Sequence, residues 1–248
     1  TYSPWSEELI FCESVSGQLF RMPLDGSPPE PLPTQLLNQL DFTGSGYVNP
    51  IQQRIGQFGG YGNFRVHNRR HEYNSKTGLW EQISETSPQL PWPRGGAQIF
   101  PGKDRKTWFM MGGFGNRVGQ EGLREANLKS FTGTFYPLGD FWRLDLTTQQ
   151  WRPLLGIQEW TPPGLQKGIY HPALDSVLFL TGSEPTRPAQ AHVHLWTESG
   201  EHLPQALPNR GDSPPPLFRC WTLLVEPGSG DLWVFADEGI FTVKIQAA

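Results

Sequence analysis

Residues 99–113 read Ile99-Phe100-Pro101-Gly102-Lys103-Asp104-Arg105-Lys106-Thr107-Trp108-Phe109-Met110-Met111-Gly112-Gly113, and this stretch decides the fold. Proline fixes φ and donates no backbone hydrogen bond, so Pro101 belongs at a strand end or turn. The short extended segment before it and the apolar run Trp108–Met111 after it read as a tight hairpin. Four apolar residues are too few for a helix. They are also too continuous for a half-exposed strand, so the run is expected to be buried on both faces.

The same frame occurs four more times. The prolines are Pro4, Pro50, Pro172 and Pro227. The runs that follow them are Leu9-Ile10-Phe11-Cys12, Ile55-Gly56-Gln57-Phe58, Val177-Leu178-Phe179-Leu180 and Leu232-Trp233-Val234-Phe235. Proline-to-proline spacings are 46, 51, 71 and 55 residues, and the long one contains an insertion, 114–139. A third element follows each run, such as Arg70-His71-Glu72-Tyr73-Asn74 and Phe141-Trp142-Arg143-Leu144. Polar turns then lead to a fourth short strand, clearest at Trp80-Glu81-Gln82-Ile83 and Trp151-Arg152-Pro153-Leu154. A period near fifty residues with four strands per unit predicts an all-β, five-bladed β-propeller forming a single domain over 1–248. The expected blades are 1–35, 40–85, 93–156, 163–206 and 217–248, the last lacking its outer strand.

Two units carry a family resemblance. Phe58-Gly59-Gly60 with Tyr73 and Trp80, and Met111-Gly112-Gly113 with Trp142 and Trp151, resemble kelch repeats, the propeller type of the galactose oxidase central domain. The resemblance is clearest over 46–155. Elsewhere the diglycine is replaced by Glu13-Ser14, Thr181-Gly182 and Ala236-Asp237. The glycines read as scaffold, because glycine reaches positive φ and admits close backbone approach. Trp80 and Trp151 are expected to pack between blades.

Composition excludes several classes. Aromatics at 12% argue against disorder, and a net charge of −4 without a basic block argues against nucleic acid as a partner. No apolar stretch reaches the roughly 20 residues of a transmembrane helix. Cys12 and Cys220 fit neither a disulfide scaffold nor a zinc site. A disulfide clasping the first and last blades needs Cα atoms within about 7 Å, so two buried thiols are the expectation.

No chemistry stands out, and the chain reads as non-enzymatic with no cofactor. Kelch-like propellers include a copper oxidase with a Tyr–Cys cross-link and iron-dependent specifier proteins with a Glu/Asp/His set; neither pattern is visible. Converging inner-strand carboxylates of the kind a glycosidase needs are absent too. His192 and His194 share a strand face as two metal ligands could, with His202 the one obvious third ligand, but a solvated outer strand is the preferred reading.

Binding is therefore the expectation. In kelch-like propellers, partner sites tend to lie on connections from strand two to three and from four to one. On the matching loops the resemblance places Tyr61, Asn63, Phe64, Arg65 and Arg69, then Phe114, Asn116, Arg117 and Arg124 of the insertion, and Arg187. Arginine pairs bidentately with carboxylates and aromatics supply rigid apolar contact. Loops beyond about 12–15 residues are uncommon unless they are functional, disordered or carry local structure, and Glu121–Lys129 has helix propensity. The reading is a protein-interaction scaffold, an accessory subunit or adaptor. A carbohydrate-binding propeller is the alternative, weakened because the Tyr61/Asn63 and Phe114/Asn116 pairing does not recur in the other units. Arg210-Gly211-Asp212 is taken as a chance tripeptide. Absence of an Asn-X-Ser/Thr sequon and Thr1 in place of Met lean toward an exported or membrane-complex-associated bacterial protein, with the compartment unassigned.

Overall fold

The computed structural model describes residues 2–13, 18–34, 44–62, 65–115, 136–155, 165–171, 173–181, 192–197, 202–206, 220–226, 229–236 and 239–244. The described residues are all-β. They divide into two compact units, Thr1–Leu154 and Leu155–Ala248.

The first unit holds three antiparallel meanders in chain order. The first sheet is β1 (Tyr2–Ser3), β2 (Glu8–Cys12), β3 (Leu19–Pro23) and β4 (Glu30–Pro31). The second is β5 (Ser45–Asn49), β6 (Arg54–Gly62), β7 (Arg65–Asn74) and β8 (Leu79–Ile83). A two-residue strand, β9 (Arg94–Gly95), precedes the third sheet. That sheet opens with β10 (Gln98–Pro101) and β11 (Thr107–Met111). The insertion then contributes β12 (Phe114–Gly115) and β13 (Tyr136–Pro137), which form a small sheet in the order β13-β12-β9. Strands β14 (Phe141–Asp145) and β15 (Gln150–Leu155) complete the third sheet.

In the second unit, β16 (Leu165–His171), β17 (Ser176–Thr181), β18 (His192–Thr197) and β19 (His202–Ala206) form a fourth meander. A fifth consists of β20 (Cys220–Val225), β21 (Leu232–Ala236) and β22 (Gly239–Val243). In each of the five meanders the apolar run is the second strand, as the repeat frame requires.

The hairpins ahead of those second strands share a conformational signature. Glu7, Gln53, Arg105, Asp175 and Gly230 all have φ between 47° and 74°, three or four residues past the proline. A single left-handed residue lets a short loop reverse the chain with the twist of the strands. Four of the five turns meet this with a side chain in place, at a conformational cost. Asx contacts support two of them: Asp104 Oδ1 accepts from the Lys106 and Thr107 amides at 2.9 and 2.8 Å, and Asn49 Oδ1 accepts from the Gln52 amide at 3.2 Å.

Packing between sheets follows a head-to-tail rule within the first unit. The Ile10/Leu19 face of the first sheet packs on Ile55, Tyr73 and Trp80 of the second. The opposite face of the second sheet packs on the third: Tyr47 meets Trp108 edge-on at 5.8 Å, and Phe58 meets Trp151 at 5.0 Å. Trp80 and Trp151 thus seal sheet-to-sheet contacts. The burial of the apolar runs varies, however. Trp108–Met111 is buried throughout, whereas Phe11 and Cys12 in the first sheet and Trp233 in the fifth are exposed. Cys12 carries a free thiol on an exposed residue, not the buried one expected: it ends β2, past the Ile10 that packs on the second sheet. The Cys220 side chain lies outside the described residues.

Candidate functional site

The geometry that positions the expected loops is built on the two diglycines. Gly59 and Gly113 have φ of +65° and +89°. A Cβ at Gly59 would stand 2.4 Å from the Arg94 carbonyl oxygen, and one at Gly113 would stand 2.7 Å from that of Gly95. Strand β9 therefore lies against both turns, and only glycine admits so close a backbone. Pairing of Phe114 with Gly95 and of Gly115 with Arg94 ties the start of the insertion to this strand. Pairing of Phe114 with Pro137 and Gly115 with Tyr136 ties its start to its end.

Arg94 locks this joint from beneath. Its guanidinium is fully buried and donates to both oxygens of buried Asp140, from Nη1 to Oδ1 and from Nη2 to Oδ2, each at 2.5 Å. Nη1 also donates to the Gly112 carbonyl at 2.9 Å, and Nε to the Trp92 carbonyl at 2.9 Å. Trp142 Nε1 donates to Asp140 Oδ2 at 2.5 Å. Two backbone bonds close the neck of the insertion: Gly112 N to Asp140 O at 3.3 Å and Leu138 N to Gly113 O at 2.9 Å. Such a pair adds little net stability against an apolar replacement, but removing one partner leaves a buried charge unpaired. Neither residue was singled out from the sequence. The available signal was weak: an Arg between Pro93 and Gly95-Gly96 just before a first strand, and an Asp just before an aromatic third strand.

The expected binding residues distribute as follows. Tyr61, next to last in β6, is half-buried opposite Val66 in the hairpin. Arg69 is half-buried on β7, and Phe114 is half-buried on β12 with its ring over Gly96. Arg65 opens β7, its backbone paired with Gly62, and its side chain lies outside the described residues. Asn63, Phe64, Asn116, Arg117, Arg124 and Arg187 lie outside the described residues, as does Glu121–Lys129. Strand β9 touches β6 and β7 and pairs with β12, so the stems of two of the expected loops meet on it.

Electrostatics in the second sheet are dominated by burial. Burial, then the charge of Arg69, then His67, push His71 down to about 4, so it is neutral at pH 7. On the side facing the third sheet, buried Arg70 donates from Nη2 to Gln149 Oε1 at 2.5 Å, and its Nε stands 3.1 Å from Glu85 Oε1. Burial raises the Glu85 carboxyl above its ordinary range against the pull of Arg70. Buried Glu72 accepts from Tyr47 Oη at 2.8 Å and Asn49 Nδ2 at 3.1 Å. Burial, opposed by Arg70, raises Tyr47 well above the ordinary phenol range. Glu72 is buried and Glu85 half-buried beside Arg70, so the arrangement is a polar seam along the core. Among the described residues no group of three His, Cys, Asp or Glu side chains could hold a metal ion, and no helix is long and apolar enough to cross a membrane. The backbones of His192 and His194 lie on β18, with their side chains outside the described residues.

No protein-family model matches the chain, and no curated protein sequence matches it. Among solved structures, the fold is similar to the structure of YjhT, with a TM-score of 0.53 at 14% identity, over 90% of this chain and 67% of that one. At that identity the likeness bears on the fold alone.

Proposed function

We propose that the five meander sheets are blades of a kelch-like β-propeller. The chain then acts as a non-enzymatic protein-interaction scaffold, an accessory subunit that binds its partner through the loops borne on β6–β7 and on the insertion. The observation that carries this reading is the buried Arg94–Asp140 pair beneath the insertion's neck. A rigid stem under a long inserted segment is how a binding loop is displayed on a scaffold. Half-buried Tyr61, Arg69 and Phe114 around that stem supply the aromatic and cationic contacts such a surface uses.

The test is affinity capture from native lysate of the source cell, comparing the parent chain with a variant carrying Arg65, Arg69, Arg117 and Arg124 all changed to Ala. A specific protein lost in the variant supports the reading. Retention of every captured protein by the variant refutes the assigned loops. Absence of a protein partner combined with hits on a glycan array moves the function to carbohydrate binding.

A further inference from the structure

Where the second sheet meets the third, three polar side chains come together with few of their hydrogen bonds made. Arg70 comes from β7, Glu85 from the segment after β8, and Trp151 from β15. Two contacts pin that segment to β15: Gln150 Nε2 donates to Thr86 Oγ1 at 2.7 Å, and the Trp151 amide donates to Ser87 Oγ at 2.6 Å. The Arg70 side chain is 0% exposed, that of Glu85 is 10% exposed, and Trp151 is buried. Arg70 Nη2 donates to Gln149 Oε1, but its Nε and Nη1 are buried with no hydrogen-bond partner among the described residues. Both Glu85 carboxylate oxygens and Trp151 Nε1 are in the same condition.

The ion pair does not supply those bonds. Arg70 Nε and Glu85 Oε1 stand 3.1 Å apart, yet the N–H is not aligned with that line, and a hydrogen bond weakens steeply with misalignment. Burial raises the Glu85 carboxyl while Arg70 and then Trp151 pull it down, which sets the indole beside the carboxylate. Buried polar groups in folded proteins are nearly all paired, with protein or with ordered water. What can satisfy this set is narrow. Arg70 Nε, Arg70 Nη1 and Trp151 Nε1 are donors, and the two Glu85 oxygens are acceptors. Arg70 repels a cation and Glu85 repels an anion, while an apolar group leaves every atom unpaired. Water accepts and donates at once, and a buried polar site with two to four partners is where it is held.

We propose that an ordered water molecule binds between Arg70 Nη1, Trp151 Nε1 and the Glu85 carboxylate, making solvent a structural part of the joint between the second and third sheets. The water accepts from the guanidinium and the indole and donates to the carboxylate. The buried charges are thereby satisfied without a direct two-bond pairing of Arg70 with Glu85. The inference goes beyond the partner-binding loops and does not depend on them.

The experiment is a high-resolution crystal structure of the full chain, joined to water-selective NMR of the Trp151 indole proton. A water peak is expected about 2.7–3.2 Å from Arg70 Nη1 and about 2.5–3.0 Å from a Glu85 oxygen. The indole proton, assigned by its loss in Trp151→Phe, should show a direct cross-peak to water. Glu85→Leu removes the acceptors and should lose both the peak and the cross-peak, whereas Glu85→Gln keeps an acceptor and should retain them. Should Glu85→Leu misfold because Arg70 is left unpaired, Arg70→Met combined with Glu85→Leu takes its place. Direct two-bond contact of Arg70 with Glu85, with no water between them, overturns the proposal. So does an indole proton without a water cross-peak, or a cross-peak that loss of the carboxylate leaves unchanged.

Discussion

Trp108-Phe109-Met110-Met111 in the third sheet and Leu232-Trp233-Val234-Phe235 in the fifth are near-equivalent apolar runs in the same place in their repeats. The first is buried at every residue. In the second, Leu232 and Val234 are buried while Trp233 is exposed. Side chains alternate along a strand, so a continuous apolar run is buried on both faces only where a neighbour covers each face. A run of this kind records readiness for two contacts; what lies beside it decides how many are made.

The comparison can be broken most sharply at the joint beneath the third sheet. Asp140→Ala leaves Arg94 buried and unpaired, and is expected to cost about 3–5 kcal/mol in denaturant unfolding. The double change Arg94→Met with Asp140→Leu should recover much of that loss. A cost below about 1 kcal/mol for the single change would mean that the pair does not hold the neck. Next come equivalent truncations in the two runs. Phe109→Ala should cost about 3–5 kcal/mol as a buried aromatic. Trp233→Ala should cost about 1 kcal/mol or less. Equal costs would show that Trp233 is packed as fully as Phe109.

The covered region should also respond to acid through His71. Its folded value of about 4 lies below the ordinary 6.5, so the unfolded chain binds the proton first. Its contribution to stability is fully present above pH 6.5 and is lost as pH falls through that value toward 4. Urea unfolding of the parent and His71→Gln at pH 7, 5.5 and 4 tests this. The parent should lose more stability than the variant between pH 7 and 4, and parallel losses would refute the assignment. The smallest effect concerns a feature all the hairpins share. Gln53→Gly relieves a left-handed φ of 54° and should stabilise by about 0.5 kcal/mol, the strain removed outweighing the added freedom of the unfolded chain.

Much of the strand architecture was legible because it rests on local chemistry. Prolines, polar turns and four-residue apolar runs recur in phase, and each run became the second strand of an antiparallel meander. Gly59 and Gly113 were legible as scaffold, since their close approach to the Arg94 and Gly95 carbonyls is what glycine is for. The site was legible only in outline. Tyr61, Arg69 and Phe114 lie where loop stems meet, but Arg94 and Asp140 are 46 residues apart and had no periodicity to betray them. The shared left-handed residue before each second strand also escaped notice, because Glu, Gln, Arg, Asp and Gly have no side-chain chemistry in common.

Residue order alone therefore determined the strands, their phase and the hairpin turns, because these depend on neighbours a few positions away. Tertiary structure decided which charges were buried together and how fully each apolar run was covered. A side chain's burial is a property of whatever packs on it, and in a stack of similar sheets that neighbour lies dozens of residues away.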